Sequence, residues 1–264
     1  MPAKDGFWTT PVQPGHPYTN KEGKSDGRTE PYGVLHAAVA TLSRGPVSPA
    51  DKIGLMNRTI IMRACTEDGT LLQPDVPACA IDAQIKRLVS SEAKGPDGQV
   101  WATSTTIGAQ VYAHVLVAKL VAPYAISQND AGLTPSSKQF VVIENANGAP
   151  TTAVLADTIK AAKCDKLDFQ LHHTSPVLSN GWAFLGELGK FVPVASARTK
   201  AVRVVGTGLE IVIMGAPQER IRLSFVDTSG KAKGGALPIV SLECVFSESG
   251  TLRASMPDKL CIDV

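Results

Sequence analysis

The feature that most constrains the fold is a series of short apolar segments separated by turn residues, which begins at Gln99 and continues to Ser255. Many of these segments alternate apolar and polar residues, which is the period of a strand with one buried face. Turn-forming pairs such as Asn180-Gly181 and Ser249-Gly250 separate them. Many short strands at this spacing are typical of an antiparallel β-sandwich or barrel. The predicted strands are 99–106, 111–121, 139–144, 169–173, 182–188, 191–195, 201–205, 210–214, 220–226, 239–246 and 251–255, while 154–163 is ambiguous between strand and helix.

The first 94 residues follow a different pattern. Residues 1–32 are rich in Gly, Pro and polar side chains, which predicts loop structure. Residues 33–43 are predicted to be helical, because Leu35, Val39 and Leu42 fall on one helical face. Residues 55–64 fit either a helix or a strand, and 81–93 predict a short helix. Since strands and helices do not alternate here, this part is either the last unit of a larger fold or a cap on the sandwich.

Charge and hydropathy exclude several classes of protein. The 264 residues carry 26 Lys and Arg against 24 Asp and Glu, so no cationic surplus favours binding of nucleic acid by bulk charge. No segment approaches the ~20 apolar residues that a membrane-spanning helix needs. The first residues contain no apolar stretch of signal-peptide length, so we predict a soluble chain. If the native protein begins upstream of this sequence, we predict that it is secreted.

The cysteines and the glycines give no evidence for a metal or a cofactor. Five cysteines stand at positions 65, 79, 164, 244 and 261, and none of them forms a CxxC pair. The favoured interpretation is buried free thiols, with one disulfide, either Cys65–Cys79 or Cys244–Cys261, as the alternative. Walker, Rossmann, HExxH and G-x-S-x-G motifs are absent from the sequence. We therefore predict neither a metal nor a cofactor.

His172 and His173 are adjacent in a predicted strand, so their side chains point to opposite faces. They cannot ligate one metal from a regular strand. We expect one ring in the core and the other at the surface. For Trp101 and Trp182, packing in the core is favoured over an exposed aromatic platform for a ligand.

The segment FWTTPVQPGHPY, residues 7–18, is the strongest candidate binding site. Trp8 and Tyr18 offer rings on which a sugar could stack, and Gln13 and His16 offer hydrogen-bonding groups; this combination is typical of carbohydrate sites. The alternative is a proline-fixed loop that packs its aromatic rings on the fold. Asp51 is a weak candidate for a catalytic acid, and a helix cap or salt bridge is the favoured role for it.

Two stretches resemble a known family. EPYGVLHAAVATLSRGPVSPADKIG, followed by LMNRTIIMRACTEDGTLLQPDVPACAID, resembles the end of the catalytic barrel in α-galactosidase-like glycoside hydrolases. GQVWATSTT resembles the start of the β-sandwich that follows that barrel, and SNGWAFLGELGKFVPVASARTKAVRVVGTGLEIVIMGAPQERIRLSFV resembles its later strands. The resemblance implies a (β/α)₈ barrel with two catalytic carboxylates, followed by a sandwich.

The catalytic residues of this family do not carry over. The barrel strand that should hold the nucleophile has no counterpart in the sequence. The acid/base should lie near Phe7-Trp8-Thr9-Thr10, where this chain has Thr in place of a carboxylate and Asp5 precedes the aromatic pair. We therefore predict a mainly β fold with a barrel-remnant segment over 1–94 and a sandwich over 95–264.

The predicted function is that of the C-terminal part of a glycoside-hydrolase-like protein, which is not catalytic alone and whose partner is a missing N-terminal barrel. The alternatives are a carbohydrate- or protein-binding module, or a structural subunit.

Overall fold

A computed structural model of the chain describes residues 5–13, 29–90, 92–130, 139–146, 148, 153–165 and 168–264. Over these residues the fold is mainly β, with antiparallel sheets and three short helices, so the predicted fold class is confirmed. The helices are α1 (Gly33–Leu42), α2 (Arg58–Ile61) and α3 (Asp82–Val89). The strands are β1 (Cys79–Ala80), β2 (Gln99–Ile107), β3 (Gln110–Ala118), β4 (Tyr124–Ser127), β5 (Phe140–Glu144), β6 (Ala153–Ala156), β7 (Thr158–Ala161), β8 (Phe169–Pro176), β9 (Trp182–Gly186), β10 (Thr199–Val205), β11 (Gly208–Met214), β12 (Arg220–Asp227), β13 (Ala236–Leu237), β14 (Val240–Val245), β15 (Thr251–Met256) and β16 (Leu260–Asp263).

Four sheets form in the described part of the chain. The largest has the order β1-β2-β3-β8-β5-β6-β13, and a two-stranded sheet pairs β4 with β7. The C-terminal strands form a four-stranded sheet, β10-β11-β15-β16, and a three-stranded sheet, β14-β12-β9. Every neighbouring pair is antiparallel.

The four-stranded and three-stranded sheets pack face to face as a β-sandwich. In β11, β12 and β15 every second side chain points into one apolar core, as the strand period requires. Phe184 and Phe225 lie in this core with their ring centroids 5.4 Å apart. The alternation that predicted these strands is therefore the pattern of one buried face.

The three-stranded sheet is a middle layer with apolar residues on both faces. Trp182 and Phe184 of β9 enter the sandwich core, while Ala183 and Leu185 enter a second core against β5 and β6. All five residues of β9 are buried. A strand covered on both faces has no need of alternation, which accounts for the continuous apolar run in this part of the sequence.

The N-terminal segment packs on the seven-stranded sheet. Small side chains of α1, among them Ala37 and Ala40, share an apolar cluster with Leu116 of β3 and Leu171 of β8. Gly33 allows the helix to begin against the N-terminal loop, because a Cβ at this position would lie 2.8 Å from the carbonyl oxygen of Trp8. The described part of the N-terminal segment thus shares a core with the sheet.

Three local predictions need correction or completion. The predicted strand 191–195 is wrong: Pro193 lacks an N–H, and this buried segment is irregular, with Phe191 donating its N–H to Arg63 O at 2.9 Å. The ambiguous segment 154–163 forms the strands β6 and β7 rather than a helix. The segment 55–64 contains the helix α2, for which Asn57 is the N-cap.

One disulfide, Cys244–Cys261, joins β14 to β16. Both strands are edges of their sheets, so the bond connects the two layers of the sandwich along one side. Cys65, Cys79 and Cys164 are free, and Cys79 is exposed. The favoured interpretation of buried free thiols thus fails for three of the five cysteines, and the second of the two alternative pairings is present. No helix in the described residues is long and apolar enough to cross a membrane.

Candidate functional site

The N-terminal loop, residues 5–13, is held in place by the carboxylate of Asp51. Its Oδ1 accepts the backbone N–H of Thr9 at 2.9 Å and that of Thr10 at 3.2 Å. The side-chain amide of Gln13 donates to the same oxygen at 2.8 Å. Since Asn57 is the N-cap of α2, Asp51 is a loop anchor rather than the cap of that helix.

Gln13 is part of the same anchor. Its side chain is buried, and while Nε2 donates to Asp51, Oε1 accepts the backbone N–H of Lys52 at 2.7 Å. Both ends of the amide are therefore engaged within the protein. A sugar could bind Gln13 only by displacing these bonds, so its observed role is to position the loop.

Trp8 is half-buried, and its backbone N–H donates to Glu30 Oε2 at 2.6 Å. Its indole ring is the one predicted stacking group that falls within the described residues. The other two predicted sugar-binding residues, His16 and Tyr18, lie outside the described residues. The geometry thus places Trp8 and Gln13 in one loop, which Asp51 anchors.

Glu30 and Asp51, the two carboxylates that hold the loop at Trp8, Thr9 and Thr10, accept main-chain donors. Glu30 binds the N–H of Trp8 and lies 3.8 Å from His36 Nδ1, while Asp51 binds the N–H groups of Thr9 and Thr10. A catalytic acid or nucleophile of a glycosidase has to face the sugar. Here the two carboxylates face the backbone of the loop that they hold, which is a structural arrangement.

A polar seam is buried where the N-terminal segment meets the seven-stranded sheet. We use this name for Arg63, Thr105, His114, Asn145 and His173. His114 and His173 are paired across β3 and β8, with their Nδ1 atoms 2.8 Å apart. Arg63 stacks on Phe191 and donates Nη1 to Ala146 O at 2.9 Å and Nη2 to Asn145 O at 3.0 Å. The seam therefore ties the sheet to the turn that follows α2.

The histidine pair has one favoured proton arrangement. His114 Nε2 lies 3.3 Å from Thr105 Oγ1, and His173 Nε2 has no hydrogen-bond partner among the described residues. A buried unpaired N–H is rarer than a buried unpaired acceptor. We therefore assign the proton between the rings to His173 Nδ1, which leaves His114 Nε2–H to donate to Thr105. Burial lowers the pKa of His114 to about 3 and that of His173 well below its ordinary value.

The expectation that one of His172 and His173 is at the surface is wrong, because β8 lies inside the sheet and both of its faces are covered. His172 is buried on the face opposite His173, with Nε2 3.0 Å from Gln170 Oε1, and burial lowers its pKa to about 4.

His172 lines a cavity of about 600 Å³ together with carboxylates, lysines and a buried thiol. The polar members of that lining are Glu144, Lys160, Lys163, Cys164, Asp165, Asp168 and Gln170.

A buried ion cluster is centred on Arg198, which is 2% exposed. Its guanidinium lies 2.7 Å from Glu187 Oε1 and 2.5 Å from Glu219 Oε1. Burial alone would lower the pKa of Arg198, but hydrogen bonds with Glu219 and the charge of Glu187 raise it. Burial alone would raise the pKa of Glu219, and the bonds from Arg198 lower it instead. Arg198 and Glu219 are therefore both charged. Because Arg198 precedes β10 and Glu219 precedes β12, their ion pair joins the start of β10 to the turn before β12.

Sequence reasoning missed Arg63, Arg198 and the pairing of His114 with His173. The available sequence signal for Arg63 and Arg198 is a single charged residue among apolar ones, and this pattern does not tell a buried arginine from an exposed one.

Trp182 is buried, with Nε1 donating to Thr207 O at 3.1 Å, as the core interpretation predicted. The core interpretation is wrong for Trp101, which is half-buried, belongs to none of the apolar clusters that the described residues form and donates Nε1 to Gln99 Oε1 at 3.0 Å. Across the described ranges, no group of three or more His, Cys, Asp or Glu side chains is placed to hold a metal ion.

Comparisons with known proteins give no assignment: no protein-family model and no curated protein matches the chain.

Proposed function

We propose that the chain is the C-terminal part of an α-galactosidase-like glycoside hydrolase and that it is not catalytic by itself. In this proposal the sandwich supports an upstream catalytic barrel, and the N-terminal segment connects the two. The proposal of a non-catalytic role is supported by the contacts of Asp51. Its carboxylate binds the N–H groups of Thr9 and Thr10 and the amide of Gln13, and so serves to hold the loop. The family assignment itself rests on the sequence resemblance.

The mass of the native protein tests this proposal first. An immunoblot of source cells is expected to detect a species much larger than the 27.8 kDa of this chain, with α-glycosidase activity in the same fraction. A species at 27.8 kDa would contradict the proposal. The sandwich would then act alone, as a binding module for carbohydrate or protein or as a structural subunit.

Trp8 is the proposed sugar-stacking residue, with Gln13 and Asp51 positioning its loop and His16 and Tyr18 as further predicted contacts. Trp8→Ala in the native protein should weaken sugar binding by about 1–3 kcal/mol, the order expected for a lost stacked ring. Trp101→Ala is the matched control, since Trp101 is also half-buried but lies on β2. Calorimetric titration with galactose and short galactosides measures both variants. Unchanged affinity in Trp8→Ala, or an equal loss in both, removes Trp8 from the site.

A further inference from the structure

A groove of about 520 Å³ lies between the turn around α2 and the start of β12. We call it the basic groove. It is lined by Arg58 and Met62 from the segment around α2, by Arg220 and Arg222 of β12, and by Lys190. Arg63, Glu67, Glu187 and Glu219 also line the groove.

The base of the groove holds two cations that are bound by carbonyl groups. Lys190 Nζ donates to Met62 O at 2.8 Å and to Cys65 O at 2.6 Å. Arg63 donates Nε to Gly189 O at 3.2 Å, and its terminal nitrogens bind two further carbonyls. Carbonyl oxygens satisfy N–H donors without cancelling a full charge, so both cations keep their positive potential. Burial lowers the pKa of Arg63 to about 10, which leaves it charged at neutral pH.

The rim adds two guanidinium groups that are available for a ligand. The Arg58 and Arg220 side chains are exposed and, among the described residues, have no hydrogen-bond or ion-pair partner. Arg222 is different, because it pairs with Glu243 Oε1 at 2.6 Å. Two free guanidinium groups at one groove can each offer a fork of N–H donors to an oxyanion.

The carboxylates of the groove do not balance these cations. Glu187 and Glu219 are bound by the buried Arg198, and Glu67 is exposed. With the buried Arg198 and the Glu243 partner of Arg222 included, the described residues place six cations against four carboxylates. The cations are Arg58, Arg63, Lys190, Arg198, Arg220 and Arg222, and the carboxylates are Glu67, Glu187, Glu219 and Glu243. The groove therefore carries a surplus of two positive charges.

From this geometry we infer that the basic groove binds a tetrahedral dianionic group, a phosphate or sulfate ester, between Arg58 and Arg220, with Lys190 at its base. The surplus charge matches the charge of such a group. Arginine forks match the oxygen geometry of phosphate and sulfate. This inference does not depend on the proposed glycosidase relationship.

Isothermal titration of the 264-residue chain with inorganic phosphate and, in a second arm, sulfate tests this inference. Ionic strength is held constant with sodium chloride, so that screening does not change along the titration. We expect saturable binding with a dissociation constant in the millimolar range. The arm that binds more tightly tells which ester is the better ligand.

The decisive variant is Arg58→Gln with Arg220→Gln, which removes the two free guanidinium groups. We expect at least about tenfold weaker binding of the anion, since both charge-assisted contacts are lost. The matched control is Arg203→Gln with Arg253→Gln, which removes the same charge from two exposed arginines that both bind Glu210 on the four-stranded sheet. The control should bind within about twofold of the parent, because distant exposed charges are screened.

Two results overturn the inference. One is the lack of saturable binding of either anion at constant ionic strength. The other is an equal loss of affinity in the two double variants, which would mean that net charge and not the groove attracts the anion. Circular dichroism of each variant confirms that it is folded; because the four arginines are exposed, we expect no change.

Discussion

The C-terminal sandwich and the polar seam are both buried, but they are built from different chemistry. The sandwich core is made of aliphatic and aromatic side chains together with the disulfide, whereas the seam contains two histidines, an arginine and an asparagine. An apolar core depends on volume and on area removed from water. A buried polar layer depends on each partner and on the protonation of its rings. The two regions should therefore respond to different perturbations.

The largest expected effect is in the sandwich. Phe225→Ala should lower the free energy of unfolding by about 3–5 kcal/mol, because Phe225 is fully buried and packs on Phe184. Urea denaturation measures the loss. Val204→Ala is the control, since Val204 is 40% exposed at the edge strand β10 and should cost much less. Equal losses would mean that the sandwich core is not close-packed.

The disulfide should have the next largest effect. Cys244→Ser opens the link between residues 17 positions apart, and loop-closure entropy gives about 3 kcal/mol for a loop of this length. The same loss is expected when a reductant is added to the parent protein. Cys79→Ser, which replaces an exposed free thiol, should change little. If a reductant still lowers the stability of the Cys244→Ser variant, the loss does not come from reduction of the Cys244–Cys261 bond.

The polar seam should respond to acid. Because burial lowers the pKa values of His114 and His173, the unfolded chain binds protons below the ordinary histidine pKa of 6.5 while the folded chain does not. Stability is therefore greatest above this value and falls on acidification. At about pH 5 His114, with its pKa lowered to about 3, should cost about 2 kcal/mol relative to neutral pH, and His173 should add a loss of the same sign.

The variant His173→Gln should reduce this acid-induced loss when the free energy of unfolding is measured by urea denaturation from about pH 7 to 5, because one buried titrating group is removed. Thr105→Val is the control, because it removes the hydrogen-bond partner of His114 without removing a titrating group. It should lower stability at every pH and leave the slope unchanged. An unchanged slope in His173→Gln would mean that the pair is not the source of the pH dependence.

The smallest effect is expected in the N-terminal loop. Asp51→Asn keeps the shape of the anchor but removes its charge, which should cost about 1 kcal/mol, as for a weakened charge-assisted bond. Hydrogen exchange at the amides of Thr9 and Thr10 should become faster. Asp68→Asn, in an exposed turn, should leave these two amides unchanged. If Asp51→Asn also leaves them unchanged, the loop is held by other contacts.

The sequence predicts these regions unequally. The strands of the sandwich follow from alternation, because Ile211, Leu223 and Leu252 point inward at period two. The segment 191–195 was predicted wrongly, because an apolar run alone does not tell a buried loop from a strand. The helix α1 was predicted in the right place, but of Leu35, Val39 and Leu42 only Leu42 is fully buried. The disulfide was one of two pairings left open as the alternative to free thiols.

The site could be predicted only in part. Trp8 and Gln13 share a loop that Asp51 anchors, but the roles of Gln13 and Asp51 come from contacts with backbone N–H groups, which residue type does not reveal. The pairing of His114 with His173 needs the register of β3 on β8, and these residues are far apart in the sequence. Long-range polar contacts of this kind leave no periodic signal.

Because β9 lies between two apolar cores, its register is fixed differently from that of a strand with one buried face. In most strands a shift by one residue would turn apolar side chains toward water, and this cost fixes the alignment. In β9 such a shift would expose nothing; it would exchange the occupants of two cores, moving Trp182 and Phe184 toward the space that Ala183 and Leu185 fill. The alignment of this strand is therefore selected by side-chain size and not by polarity. Substitutions that conserve hydrophobicity but change volume should be tolerated less here than anywhere else in the sandwich.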